Sequence, residues 1–203
     1  MLKLAVLGST RGTDLQAILE AVAAGRLDAV VSVVASNRKS AFILERARQA
    51  HIPAIFVSAK DKSRGEFDRD LHARLEPYAP DLILLIGFMR ILSPWFVHQW
   101  EGRIVNVHPS LLPKYAGGMD TNVHEEVLKN HEKETGCTIH LVTEEVDAGP
   151  ILLQKRCPVF PTDTPDTLKA RVQALEREAF IEIIRRAATR DDSSPSSWQE
   201  DVT

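Results

Sequence analysis

Short apolar segments alternate with amphipathic segments along the first half of this chain, and no other feature constrains its fold so strongly. Residues 2–7, 29–35 and 82–86 are almost continuously apolar, a pattern typical of strands that are covered on both faces in a parallel sheet. Apolar residues recur at helical spacing over residues 14–24, and Gly25 follows at the position of a helix C-cap. The alternation predicts an α/β fold, Rossmann-like and doubly wound, with a mostly parallel sheet and helices on both faces.

The same patterns predict the remaining elements and the domain organisation. Helices are expected at residues 41–49, 67–75, 122–129 and 166–188, and strands at residues 54–57, 104–108, 137–142 and 151–159. The last two strands form a hairpin or lie side by side, joined by a loop at residues 144–150. We expect residues 1–189 to form a single domain and the polar, Ser-rich residues 190–203 to form a disordered tail.

Composition and charge exclude several classes of protein. With 203 residues, 44% of them hydrophobic and 26% charged, the chain is typical of a soluble globular protein. The net charge of −3 provides no basic field for nucleic acid, and no apolar segment is long enough to span a membrane. The N-terminal apolar run is too short for a signal peptide, and two cysteines are too few for a disulfide framework. We therefore expect a cytoplasmic protein without nucleic-acid or membrane partners.

The loop at residues 8–14 joins the first strand to the first helix, where folds of this class bind anions. Backbone N–H groups and the helix dipole both point at the ligand there. The loop contains Gly8 and Gly12, but it has neither the G-x-G-x-x-G pattern of dinucleotide sites nor the lysine of a P-loop. Two interpretations stay open: a phosphate site, or a tight turn in which Thr13 or Asp14 caps the helix.

Asn106 and His108 are the strongest candidates for chemistry. They project from the same face of the strand at residues 104–108 and lie at its carboxyl end, where α/β sheets present ligand sites. The amide can stabilise an oxyanion, and the imidazole can transfer protons or donate to the same oxyanion. The alternative is that His108 is an ordinary polar residue at a strand end. Pro109 and Pro113 stiffen the exit loop, which favours a function for the pair.

The loop at residues 144–150 supplies a carboxylate, Asp147, followed by a Gly-Pro pair that fixes a turn. A carboxylate near an imidazole orients the ring and favours its protonated form. In the alternative interpretation this segment is a hairpin turn whose acidic residues are solvated. No His, Cys or carboxylate cluster has the spacing of a zinc site, and neither Cys137 nor Cys157 has a base beside it in the sequence. We therefore expect no metal and no cysteine nucleophile.

Three blocks of sequence resemble the phosphoribosylglycinamide formyltransferase family, folate-dependent enzymes of purine biosynthesis and one-carbon metabolism. They are residues 87–94 (GFMRILSP), 106–113 (NVHPSLLP) and 146–151 (VDAGPI), and the similarity extends from residue 2 to about residue 186. The resemblance implies a transferase that moves the formyl group of 10-formyltetrahydrofolate to the amine of glycinamide ribonucleotide, giving formylglycinamide ribonucleotide and tetrahydrofolate. It implies that the folate is a co-substrate and that no metal is needed. The partners would be small molecules, and the protein a monomer or weak homodimer.

The resemblance also implies roles for individual residues. Asn106 and His108 stabilise the tetrahedral oxyanion, while Asp147 supports the charged imidazole and assists proton removal from the amine. The implied folate-binding residues are Arg64, Phe88, Met89, Arg90, Ile91, Leu92, Thr143 and Val146. The implied ribonucleotide-binding residues are Gly12, Thr13, Asp14, Gln173 and Glu176, and the implied supporting residues are Thr138 and His140.

The chain departs from the family pattern in two places. Residues 12–14 read Gly-Thr-Asp where the family commonly has Gly-Ser-Asn, so an acidic side chain lies in the implied phosphate loop. Residues 114–124 form a longer segment than the shorter family form and resemble a Gly-Gly-Met-Asp variant of it. Both departures concern contacts to the substrates rather than the chemistry.

Three rival functions share the fold. A methionyl-tRNA formyltransferase is expected to carry a further C-terminal domain that grips tRNA. A formyltetrahydrofolate hydrolase is expected to carry a further N-terminal domain, whereas the first predicted strand here begins at residue 2. A non-catalytic nucleotide-binding module explains the first loop, but it leaves Asn106, His108 and Asp147 without a role.

Overall fold

The computed structural model describes residues 1–118 and 121–189, and of residues 121 and 122 the backbone only. Strands and helices alternate along it much as the sequence predicts. The strands are β1 (Leu2–Leu7), β2 (Ala29–Ser36), β3 (Ala54–Phe56), β4 (Leu82–Leu85), β5 (Ile104–His108), β6 (Glu134–Leu141) and β7 (Ile151–Pro158). The helices are α1 (Thr13–Ala23), α2 (Phe42–Gln49), α3 (Arg64–Leu75), α4 (Pro94–Gln99), α5 (Thr121–Lys129) and α6 (Pro165–Ala188). The predicted tail at residues 190–203 lies outside the described residues.

The described strands form one sheet in the order β3-β2-β1-β4-β5-β6-β7. The first five strands in this order pair in parallel, whereas β6 runs antiparallel to both β5 and β7. The predicted doubly wound, mostly parallel sheet is confirmed, and β6 and β7 adopt the hairpin alternative. The strand order reverses beside β1, and ligands of such sheets bind outside the carboxyl ends of the strands at that point.

Apolar side chains of the central strands alternate between two cores, one on each face of the sheet. In β1, Leu4 and Val6 belong to a core shared with α1, α2 and α6, while Ala5 and Leu7 belong to a core shared with α3 and α4. All four of these side chains are fully buried. Coverage on both faces is the physical reason for the continuous apolar run in the sequence. Within the described residues, no helix combines the length and the apolar character needed to cross a membrane.

The two ends of α1 differ in how their backbone groups are satisfied. At its end, the Gly25 N–H donates to the Val22 carbonyl at 3.0 Å and the Arg26 N–H to the Ala21 carbonyl at 2.9 Å, a Schellman motif that confirms the predicted C-cap region. At its start, the N-cap is Gly12 in the left-handed region with φ 67°, and no side chain caps the helix. The interpretation of Thr13 or Asp14 as the N-cap is therefore wrong.

Capping side chains explain two differences between the structure and the sequence prediction. Helix α3 begins three residues earlier than expected, since Ser63 and Glu66 form a capping box. Helix α4 was not predicted. It begins where the Ser93 hydroxyl accepts a hydrogen bond from the Phe96 N–H at 3.3 Å and Pro94 occupies the first helical turn.

Candidate active site

Four polar side chains lie on one face of the sheet where β5 pairs with β6. Asn106 is directly opposite His140, and His108 is directly opposite Thr138. Opposed residues of an antiparallel pair point to the same face, and so do residues two apart on one strand. His108 and His140 are 3% and 2% exposed. Strand pairing alone therefore brings two buried imidazoles and an amide together.

Asp147 completes this cluster from the loop between β6 and β7. Its backbone is in the left-handed region, with φ 55°, and one tenth of its side chain is exposed. Oδ2 lies 3.2 Å from His108 Nδ1 and accepts a hydrogen bond from the Gly117 N–H at 2.8 Å, while Oδ1 lies 3.5 Å from His140 Nε2. The expected contact between Asp147 and His108 is present, although the two residues are far apart in the chain.

The surroundings of Asp147 hold it in the ionised form. Burial acts to raise the pKa of this carboxyl, but the opposing contacts from His108, His140 and the Gly117 N–H together lower the pKa far below its usual range. A carboxylate that stays ionised can only accept hydrogen bonds. His108 Nδ1 must therefore carry a proton in order to donate to it.

The second nitrogen of His108 also faces an acceptor. Nε2 lies 2.9 Å from the carbonyl oxygen of Tyr115, which has no proton to give. A neutral imidazole has only one N–H and can donate to one of these two oxygens, whereas an imidazolium can donate to both. The site therefore offers oxygen acceptors to both ring nitrogens of His108.

His140 fixes the orientation of Asn106. Its Nδ1 lies 3.0 Å from the Leu141 carbonyl, so in the neutral ring Nδ1 donates and Nε2 is an acceptor. In that tautomer Nε2 accepts from the Asn106 Nδ2 amide at 3.1 Å instead of donating to Asp147, and the second amide N–H of Asn106 can point into the site. A protonated His140 would instead donate to Asp147 and would require the Asn106 amide to turn over.

Thr138 anchors the loop that leaves β5. Its hydroxyl, fully buried, donates to the Ser110 carbonyl at 2.6 Å and accepts from the Leu112 N–H at 3.0 Å. The Gln154 amide donates to the same hydroxyl at 3.0 Å and to the Leu112 carbonyl at 2.9 Å. This network holds the start of the loop rigidly beside His108.

The segment at residues 113–118 takes part in the cluster, and sequence reasoning assigned it no role. Tyr115 contributes its carbonyl to His108 and Gly117 its N–H to Asp147, and both residues have positive φ, 62° and 75°. The adjacent glycines at 117 and 118 indicate a turn. Nothing in the side chains indicates the partners, because backbone groups make both contacts.

The implied ribonucleotide-binding residues fall on two packed helices. Gly12, Thr13 and Asp14 form the uncapped start of α1, and Gln173 and Glu176 lie one turn apart on α6, which packs against α1. Asp14 and Glu176 both act electrostatically on the buried Cys137 thiol of β6, so the structure brings these two carboxyls close to the same point.

Comparison with known proteins decides the family. A family model described as formyl transferase matches residues 2–184. The phosphoribosylglycinamide formyltransferase of Escherichia coli strain K12 is 45% identical over 185 residues, which cover 90% of this chain and 85% of that protein. The chain belongs to the phosphoribosylglycinamide formyltransferase family.

Solved structures agree with this assignment. The phosphoribosylglycinamide formyltransferase of Coxiella burnetii superimposes with a TM-score of 0.87 at 44% identity, covering 92% of this chain and 87% of that one. Glycinamide ribonucleotide transformylase 1 of Symbiobacterium toebii gives a TM-score of 0.88 at 41% identity, covering 93% and 88%. The predicted family, fold and enzyme class are confirmed.

The implied folate-binding residues of this formyltransferase lie in two segments and on α3. Phe88, Met89 and Arg90 are half-buried after β4, whereas Ile91 is exposed and Leu92 is buried in the core. Leu92 can therefore reach a ligand only through its backbone.

The remaining implied folate-binding residues are exposed. Thr143 and Val146 lie on the loop after β6, and Arg64 lies at the start of α3. Phe88 and Val142, the residue before Thr143, both pack against the core on the α3 side of the sheet. The two loop segments thus border a common apolar surface.

Arg90 is the most unusual of these residues. Its guanidinium lies 4.3 Å from the centre of the Phe67 ring, and its Nε is buried without a hydrogen-bond partner. A buried guanidinium nitrogen that lacks an acceptor is costly unless a ligand supplies one.

Neither cysteine is arranged as a nucleophile. Both are buried free thiols, and burial, reinforced by the charge of Glu176, raises the pKa of the Cys137 thiol to about 12. A thiol of that kind is inert at neutral pH. Within residues 1–118 and 121–189, no three His, Cys, Asp or Glu residues are grouped so as to hold a metal ion.

Proposed function

We propose that this formyltransferase moves the formyl group of 10-formyltetrahydrofolate to the amine of glycinamide ribonucleotide, with Asn106, His108 and Asp147 as the reacting set. The supporting observation is the buried arrangement of an amide, an imidazole whose two nitrogens both face oxygen atoms, and an ionised carboxylate at the carboxyl end of β5. Such a group can stabilise the negative charge that develops on a formyl oxygen when an amine attacks.

The steps of formyl transfer can be assigned to atoms of the substrates and of the site. The amine nitrogen bonds to the formyl carbon, the formyl oxygen becomes an oxyanion, and the bond from that carbon to N10 of the folate then breaks. Because His108 Nδ1 faces Asp147, only Nε2–H can serve the oxyanion, together with the second N–H of Asn106. The Tyr115 carbonyl now accepts from Nε2, so the formyl oxygen must displace it or share that proton.

The role of Asp147 is mainly electrostatic in this proposal. The contacts that lower the pKa of Asp147 keep it ionised, so it can accept a hydrogen bond from a water that removes the proton of the amine. Its negative charge does stabilise the imidazolium of His108 at 3.2 Å. The proton lost by the amine is delivered to N10 of the leaving tetrahydrofolate, with water as the carrier.

The binding sites complete the proposal. The ribonucleotide phosphate lies at Gly12, Thr13 and Asp14, where the first turn of α1 offers uncapped N–H groups. The ribose and glycinamide lie towards Gln173 and Glu176.

The folate, a co-substrate, lies between the segment at residues 88–92 and the loop at residues 143–146. Arg64 and Arg90 are its cationic contacts, and Arg90 has a nitrogen that lacks an acceptor. Thr138 and His140 position the reacting set. A cytoplasmic location, a monomeric or weakly dimeric state and the absence of a metal remain predictions.

A formyl-transfer assay tests the proposal. Turnover of 10-formyltetrahydrofolate is measured with and without glycinamide ribonucleotide for the unaltered chain, His108→Ala and the control His98→Ala, whose side chain is 76% exposed. We expect acceptor-dependent turnover that falls roughly 10²- to 10⁴-fold in His108→Ala and is unchanged in His98→Ala. Deformylation that ignores the acceptor would indicate a hydrolase instead. An absence of any folate chemistry would contradict the assignment of Asn106, His108 and Asp147.

A further inference from the structure

Asp14 is a buried carboxyl at the start of α1, a place where an anion is proposed to bind. Only 5% of the residue is exposed, and its Oδ1 is buried without a hydrogen-bond partner. It does not cap its own helix, because no side chain accepts from the first-turn N–H groups of α1. Local structure therefore does not explain why this oxygen is buried without a partner. Such an oxygen is stabilised either by a group that donates a hydrogen bond to it or by a proton on the carboxyl itself.

The charged and titratable groups around Asp14 come from three elements. Helix α6 contributes Arg177, which favours the ionised form, and Glu176, a second carboxyl in the same region. Strand β6 contributes Cys137, whose thiol stays neutral because burial raises its pKa. Helix α2 contributes Arg46, but its guanidinium is engaged with the Arg11 carbonyl and the Gln16 side chain. Burial outweighs the attraction of Arg177 and raises the pKa of Asp14 to about 6.

We infer that the ribonucleotide binds to the form of the enzyme in which Asp14 carries a proton, so that substrate binding takes up one proton. This inference rests on the proposed function, since it places the substrate phosphate at the first turn of α1. The phosphate is largely dianionic above about pH 6. An ionised Asp14 in the same first turn, in surroundings that screen charge poorly, repels it, whereas a protonated Asp14 does not.

The affinity for the ribonucleotide should depend on pH through the protonation of Asp14. Below about pH 6, Asp14 is already protonated and binding needs no further proton. Above about pH 6, the protonated fraction of Asp14 falls by roughly tenfold per pH unit. If only the protonated form binds, the affinity for the ribonucleotide falls by the same factor. In Asp14→Asn the side chain is isosteric and uncharged, so this part of the pH dependence disappears and the substrate binds more tightly at pH 8 than to the unaltered chain.

Isothermal titration calorimetry with glycinamide ribonucleotide between pH 5.5 and 8.5 tests this. Each titration is repeated in two buffers of different ionisation enthalpy, which counts the protons taken up. The control is Asp166→Asn, because Asp166 occupies the same first-turn position of α6 and is exposed. We expect the unaltered chain and Asp166→Asn to take up close to one proton more than Asp14→Asn at pH 8. The number of protons taken up by the unaltered chain is informative even if a variant fails to fold.

The outcomes separate this inference from the proposed function. Ribonucleotide binding with no proton uptake in the unaltered chain at pH 8 would overturn the role of Asp14 and leave the function standing. Equal uptake in the unaltered chain and Asp14→Asn would also overturn it and would assign the proton to another group, such as Glu176. No ribonucleotide binding by any variant at any pH would contradict the proposed function itself, and this inference with it.

Discussion

Replacing Asp147 by asparagine removes the counter-charge of a buried imidazolium while keeping the shape of the side chain. His108 is 3% exposed, and its two ring nitrogens lie 3.2 Å from Asp147 Oδ2 and 2.9 Å from the Tyr115 carbonyl oxygen. Without the carboxylate, a charged ring would have no counter-ion, and a neutral ring would lack one of the two protons. Removing one oxyanion donor costs about 10²–10³ in kcat, or about 2.7–4 kcal/mol of transition-state stabilisation. Asp147 acts through His108 and does not contact the oxyanion itself, and a tenth of its side chain meets solvent. We therefore expect a decrease at the lower end of that range, roughly 10²-fold.

The assay measures kcat and KM for formyl transfer separately in the unaltered chain, Asp147→Asn and Glu145→Gln. Glu145 is an exposed carboxylate on the same loop, so it controls for a general change of charge there. The loss should appear in kcat and should exceed any change in KM for the ribonucleotide, because the stabilised charge develops only in the transition state. A decrease of less than tenfold, or an equal decrease in Glu145→Gln, would refute the electrostatic role of Asp147.

Two further predictions concern stability, measured as the free energy of unfolding in urea. Thr138→Val removes three hydrogen bonds of a fully buried hydroxyl and should destabilise the protein by about 2–4 kcal/mol. The control Thr162→Val changes an exposed threonine and should have little effect. Equal stability of the two variants would contradict this prediction. Asp14 has a pKa of about 6 in the folded state against 3.8 unfolded, so its contribution is complete below pH 3.8 and is lost as the pH rises through 6. Asp14→Asn should therefore be more stable than the unaltered chain at pH 8, by at most about 3 kcal/mol, with no such gain at pH 4. A variant that is less stable at pH 8 would show that the burial of this charge is not costly.

The order of strands and helices was predictable because each element has its own period in the sequence. A run such as β1, apolar at every position, requires cover on both faces, and this requirement led to the parallel sheet. Period-two alternation also places Asn106 and His108 on one face of β5, independently of any tertiary contact. The sequence signals for the missed helix boundaries were present as well, since Ser63 with Glu66, and Ser93 with Pro94, are capping patterns.

Contacts between distant segments were decided only by the tertiary structure. The meeting of Asp147 with His108 depends on the hairpin of β6 and β7 and on a left-handed backbone at Asp147, neither of which the local sequence dictates. The Tyr115 carbonyl and the Gly117 N–H are backbone groups, so no side-chain pattern could identify them as partners of His108 and Asp147.

Asp14 also has some properties that the sequence gives and others that only the tertiary structure decides. Its residue type and its position in the first loop are properties of the sequence. Whether it caps a helix, binds solvent or holds a proton depends on burial beneath α6, and burial is a property of packing. The sequence by itself determined the fold class and the family and indicated the residues that are proposed to carry the chemistry, because these follow from local periodicity and motif. Their protonation states and partners were decided by the tertiary structure, because long-range packing sets the distances and the dielectric environment on which those states depend.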